Sequence, residues 1–84
     1  MEVKFFNASW CGPCKQMKPH IDKLVSEGYS IQDIDIDQNS TLAESAEIRG
    51  VPTLAIYENG AEVERLVGYE DYDRIKARID IYKK

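Results

Sequence analysis

The sequence predicts an α/β fold, a small mixed sheet carrying three helices in the order βαβαββα. Three observations lead there. Short apolar runs such as Val3-Lys4-Phe5-Phe6 alternate with stretches of helical spacing, the first formed by Cys14, Met17, Ile21, Leu24 and Val25. Asn59-Gly60 stands between two strand-like runs, the pattern of a two-residue type I′ hairpin. With 84 residues, 43% of them apolar and 31% charged, the chain holds material for one core and is too apolar to stay disordered, so residues 1–84 are expected to form a single domain.

The first strand is expected over residues 2–7. Val3, Phe5 and Phe6 leave neither face polar, so it should be central. Asn7-Ala8-Ser9-Trp10 then forms a loop, on which Trp10 is read as an exposed amphipathic ring facing substrate. A helix is expected from about Pro13 to Glu27. Pro13 suits its first turn, Pro19 should kink it, and Gly28 serves as its stop. His20 falls off the apolar stripe and is read as a partly exposed residue with no catalytic role.

Ile31 to Asp37 reads as a second strand, with Ile34 and Ile36 on one face and Asp33, Asp35 and Asp37 on the other, the pattern of a sheet edge. Asn39, Ser40 and Thr41 are N-cap candidates, and Thr41 to Glu44 fits a capping box opening a helix that ends near Gly50. Its length suits a right-handed crossover between parallel strands. Val51-Pro52-Thr53 turns into the apolar strand Leu54-Ala55-Ile56-Tyr57. Asn59-Gly60 reverses the chain into Ala61 to Val67, antiparallel to its predecessor, and Gly68 ends that strand. Tyr72, Ile75, Ile79 and Tyr82 mark a last helix, with the two tyrosines at the edge of the core.

A net charge of −4 argues against a nucleic-acid surface, which needs clustered Lys and Arg to displace counterions. The start of the chain lacks a basic segment followed by a long apolar one, and no run reaches the length of a membrane span. A cytoplasmic protein without membrane contact is expected.

The two cysteines lie in Trp10-Cys11-Gly12-Pro13-Cys14. A C-x-x-C pair serves as a redox dithiol, half of a zinc site or a structural disulfide. Zinc needs four ligands and only His20 is left to add, so no metal is expected. A disulfide closing so short a loop removes little unfolded-state entropy. The redox reading has a mechanism. Cys11 falls at a helix N-terminus, where unpaired backbone N–H groups and the positive end of the helix dipole favour a thiolate and make it the nucleophile. Cys14 lies one turn further, on the apolar stripe, placed to resolve a mixed disulfide on Cys11.

Trp10-Cys11-Gly12-Pro13-Cys14-Lys15, Ile36-Asp37-Gln38-Asn39, Ile48-Arg49-Gly50-Val51-Pro52-Thr53, Asn59-Gly60 and Val67-Gly68 together resemble the thioredoxin family, in a shortened form close in size to a glutaredoxin. The resemblance covers nearly the whole chain. It implies a minimal thioredoxin-like fold with strand order 2-1-3-4 and strand 3 antiparallel to strand 1, and a monomer that reduces disulfides in proteins. It also implies catalytic Cys11 and Cys14 forming a redox disulfide, and a substrate surface of Trp10, Gly12, Pro13, Val51, Pro52, Gly68 and Tyr69 with a cis Val51-Pro52 bond. No bound cofactor is implied; electrons would come from thioredoxin reductase or another dithiol reductase. Two departures stand out. The family's additional N-terminal strand and helix are missing, and the buried Asp and its Lys partner below the dithiol are replaced by Phe5 and Asp33. The proton acceptor of the resolving thiol is then absent, or moved to Asp33. Two other functions fit parts of the pattern. One is glutathione-dependent chemistry of glutaredoxin type, disfavoured by Gly12-Pro13 between the cysteines. The other is a redox-independent accessory subunit docking through Trp10, Pro13, Val51 and Tyr69.

Overall fold

The computed structural model describes residues 1–83. Its elements are β1 (Glu2–Asn7), α1 (Gly12–Ser26), β2 (Ile31–Asp35), α2 (Ser40–Ser45), β3 (Thr53–Glu58), β4 (Ala61–Val67) and α3 (Tyr72–Tyr82). The strands form one sheet in the order β2-β1-β3-β4. β1 runs parallel to β2 and antiparallel to β3, which pairs antiparallel with β4. The expected strand order, and the antiparallel run of β3 against β1, are present.

Alternation along β1 sends side chains to two cores, as strand geometry requires. Val3 and Phe5 join Leu54, Ile56 and Leu66 beneath α1 and α3, which contribute Met17, Ile21, Leu24, Ile75 and Ile79. Phe6 faces the other way with Ile34 and Ala55, covered by the segment around α2 through Ala46 and Ile48. Tyr72 and Tyr82 pack at the edge of the first core, as their spacing predicted.

Local signals account for most element ends. α1 runs through Pro19 without interruption and stops at a Schellman motif. Gly28, at φ +102°, lets its own N–H reach Val25 O and the Tyr29 N–H reach Leu24 O, both at 3.0 Å. Asn59 and Gly60 have φ of +52° and +83°, the two left-handed residues of the expected turn.

Three expectations are corrected. β2 ends at Asp35, not Asp37, because the backbone turns there: Asp35 O accepts the N–H groups of Gln38 and Asn39. α2 is a six-residue helix ending at Ser45 rather than near Gly50, and its N-cap Asn39 makes no side-chain cap bond. Its stop is Glu47, a non-glycine at φ +56°, supported by Arg65, whose guanidinium donates to Ala46 O and Glu47 O at 2.7 and 3.0 Å. Finally, α2 does not join parallel strands. β3 starts at the end of the sheet where β2 stops and runs antiparallel to β1, and α2, about 9 Å long, lies within that end-to-end connection. That end gathers the ends of β1 and β2 and the start of β3.

Candidate active site

Cys11 is the N-cap of α1, with extended backbone angles of φ −89° and ψ 110°. Its Sγ accepts the Cys14 N–H at 3.1 Å, satisfying a backbone donor that the helix leaves free. The Cys11 N–H donates to Ala8 O at 3.1 Å, which anchors the loop leaving β1. Cys11 and Cys14 are joined as a disulfide with a Cα–Cα distance of 5.3 Å, and both are buried. Gly12 and Pro13 are exposed between them. A sulfur at this position faces backbone donors and the positive end of a 15-residue helix, the surroundings that favour a thiolate once the disulfide is opened.

A second segment closes over the dithiol. Val51 packs with Ala8, Cys11 and Cys14, as does Ile36 from the turn after β2. The Val51-Pro52 bond is cis and Pro52 is fully buried. Thr53 Oγ1 donates to Gly50 O at 2.7 Å and so ties the turn shut. From the end of β4, the Gly68 N–H donates to Pro52 O at 2.8 Å. Gly68 has φ +96°, a conformation costly for any residue with a side chain, and it carries Tyr69 to the surface. The fold thus brings Val51 against the dithiol, links Pro52 to Gly68, and leaves Trp10 and Tyr69 exposed.

Two contacts here escape a reading of the sequence. Trp10, 66% exposed, donates its indole Nε1–H to Asp37 Oδ2 at 2.8 Å, across the gap between the β1–α1 loop and the turn after β2. His20 Nε2 lies 2.9 Å from the Tyr69 hydroxyl, and the two rings meet edge to face.

Phe5 is fully buried and pairs in register with Asp33 on β2. Asp33 accepts from Lys18 Nζ and from Asn7 Nδ2, each at 2.6 Å. Partial burial pushes the Asp33 carboxyl up, but hydrogen bonds from Lys18 and Asn7 with the Lys18 charge outweigh it and hold the group below the ordinary carboxylate range. Lys18 is correspondingly raised, chiefly by its hydrogen bond to Asp33. A carboxylate held ionised in this way is a weak proton acceptor.

The family model for thioredoxin matches residues 2–81. The chain belongs to the thioredoxin family. It is 44% identical over 71 residues to a thioredoxin of Chlamydia pneumoniae, an alignment covering 82% of this chain and 69% of the relative. It is 37% identical to the mouse mitochondrial thioredoxin over 75 residues, 86% of this chain but 45% of that protein. Among solved structures, a mutant thioredoxin from Halobacterium salinarum superposes with a TM-score of 0.89 at 38% identity, over 98% of this chain and 74% of that one. A Plasmodium falciparum thioredoxin gives 0.85 at 32% identity, over 96% and 84%. With the Cys11–Cys14 disulfide at its helix cap, this thioredoxin-family chain is a thiol–disulfide oxidoreductase. Among the described residues, no helix is long and apolar enough to cross a membrane.

Proposed function

We propose that this chain, acting as one folded, monomeric unit in the cytoplasm, reduces disulfides in other proteins through Cys11 and Cys14. The Cys14 N–H bond to Cys11 Sγ carries the reading, since a backbone donor at the helix cap favours negative charge on that sulfur. In the reduced protein the Cys11 thiolate attacks a substrate disulfide. A Cys11–substrate disulfide forms and one substrate sulfur leaves as a thiolate, which takes up a proton. Cys14 loses its proton and attacks Cys11 Sγ, forming the intramolecular disulfide and releasing the second substrate thiol. Two electrons pass to the substrate. A dithiol reductase, of thioredoxin reductase type, then returns the pair to the reduced state.

Substrate docks on Trp10, Gly12, Pro13, Val51, Pro52, Gly68 and Tyr69. Support for that surface is the exposure of Trp10, Gly12, Pro13 and Tyr69, the packing of Val51 on the cluster of Ala8 with the two buried cysteines, and the bond from Gly68, next to Tyr69, to Pro52 O. Insulin reduction tests the proposal. Turnover with dithiothreitol, or with NADPH and thioredoxin reductase, is expected, and it should vanish in Cys11→Ser. Turnover supported by glutathione alone would move the assignment to glutaredoxin-type chemistry, and survival of function in a Cys11→Ser/Cys14→Ser double variant would establish a redox-independent role.

A further inference from the structure

We propose that His20 is a positioning residue for substrate docking, holding the Tyr69 ring as one wall of the rim beside the dithiol. The inference rests on the reading of Tyr69 as part of that rim. His20 sits on α1, the helix whose first turn carries both sulfurs, and Tyr69 on the turn after β4, 49 residues later. The ring is restrained at both ends. Its backbone follows Gly68, tied to Pro52 O at 2.8 Å, and its hydroxyl lies 2.9 Å from His20 Nε2. The rings also meet at 62° with centroids 5.9 Å apart, an edge-to-face arrangement that is favourable on its own account.

Tyr69 is 45% exposed, so burial in the core does not fix it. A free aromatic side chain loses rotational freedom when a partner packs on it, and a ring held beforehand loses less. The His20 bond therefore lowers the cost of docking a substrate segment without touching the reacting sulfurs. The link also joins the helix bearing the dithiol to the turn that holds Pro52, so the two walls of the docking site keep one spacing.

Steady-state insulin reduction by the full chain tests this, with the reaction of the reduced protein with dithiobis(nitrobenzoate) as a probe that needs little of the rim. His20→Ala is expected to raise KM for insulin about threefold, the effect of one modest hydrogen bond, while kcat and the small-disulfide rate hold. His20→Gln, which keeps a polar group at similar reach, should restore most of the loss. Tyr69→Phe should raise KM by a similar factor, and His20→Ala/Tyr69→Phe should be no worse than either alone, because both remove the same bond. Multiplicative effects in the double variant, no KM change in His20→Ala, or a loss confined to kcat would overturn the proposal while leaving disulfide reduction intact. Failure of the unaltered protein to reduce insulin would remove both readings.

Discussion

Asp37 accepts the indole Nε1–H of Trp10 at 2.8 Å, fastening the exposed ring beside Cys11 to the turn that follows β2. Trp10 is the only tryptophan, so its fluorescence reports this contact directly. Asp37→Ala is expected to shorten the rotational correlation time of the indole and to raise KM for protein disulfides several-fold. Both side chains are exposed, so the stability loss should stay at about 0.5 kcal/mol. An unchanged fluorescence anisotropy decay would show that the ring is fixed by packing alone.

The two sulfurs should behave differently once reduced. Cys11 accepts a backbone N–H at the helix cap while Cys14 lies one turn inside on the buried stripe. Cys11 should react with iodoacetamide faster at neutral pH and lose that advantage as acid protonates it, since only the thiolate attacks. Cys14→Ser should accumulate substrate proteins linked to Cys11, visible on non-reducing gels, whereas Cys11→Ser should capture none. Equal labelling of both thiols, or capture through Cys14, would reverse the assigned roles.

Two helix stops give opposite expectations. Glu47 and Gly28 both occupy the left-handed C′ position, at φ +56° and +102°. A side chain there costs about 1 to 2 kcal/mol, partly offset by the greater unfolded-state freedom of glycine. Glu47→Gly should therefore stabilise the fold by about 0.5 kcal/mol, and Gly28→Ala should destabilise it by about 1 kcal/mol or more. Urea unfolding of the two variants checks both signs.

These stops also show why some of the fold is legible in sequence and some is not. Gly28, Asn59-Gly60 and the Cys14-Met17-Ile21-Leu24 stripe act locally, so α1, the hairpin and the position of the dithiol can be read from neighbouring residues. Glu47 cannot, because Arg65, which caps its carbonyl, enters from β4. The same holds for the bulge in β4, where Ile56 pairs with Glu64 and Tyr57 with Glu62, leaving Val63 unpaired. At the site, the two cysteines announce themselves by spacing. Asp37 and His20 do not, since their partners Trp10 and Tyr69 meet them only after the sheet has formed.

Glu64 links β4 to α3, accepting from the Arg78 guanidinium and, at 2.7 Å, from the Tyr82 hydroxyl. The Arg78 hydrogen bond, opposed by burial and aided by Tyr82, holds the carboxyl below its ordinary value. A depressed carboxylate adds stability that is complete above its unfolded-state pKa and is lost as pH falls through the folded value. The chain should therefore lose stability on acidification below about pH 4.5. Glu64→Gln should cost about 1 kcal/mol at pH 7 and less at pH 3, because the carboxyl takes up its proton as pH falls. Unfolding midpoints at the two pH values check it, and a cost independent of pH would assign the contact to packing.

Asp33 invites a test of how Cys14 loses its proton. Phe5 is buried and its partner in register is Asp33, whose carboxylate already accepts from Lys18 and Asn7 and is held below the ordinary range. A base must gain a proton readily to be useful, and these contacts oppose that. Asp33→Asn should therefore leave the pH dependence of insulin reduction where it is, while removing a partner of Lys18. The pair is exposed, at 49% and 43% of the side chains, so the stability cost should be about 0.5 kcal/mol. That result would send the proton of Cys14 to water or to the departing substrate thiolate. A shifted acid limb in the pH–rate profile of Asp33→Asn, larger than the small stability loss explains, would instead make Asp33 the acceptor, and Lys18→Met would separate the two by freeing the carboxylate to take up a proton at higher pH.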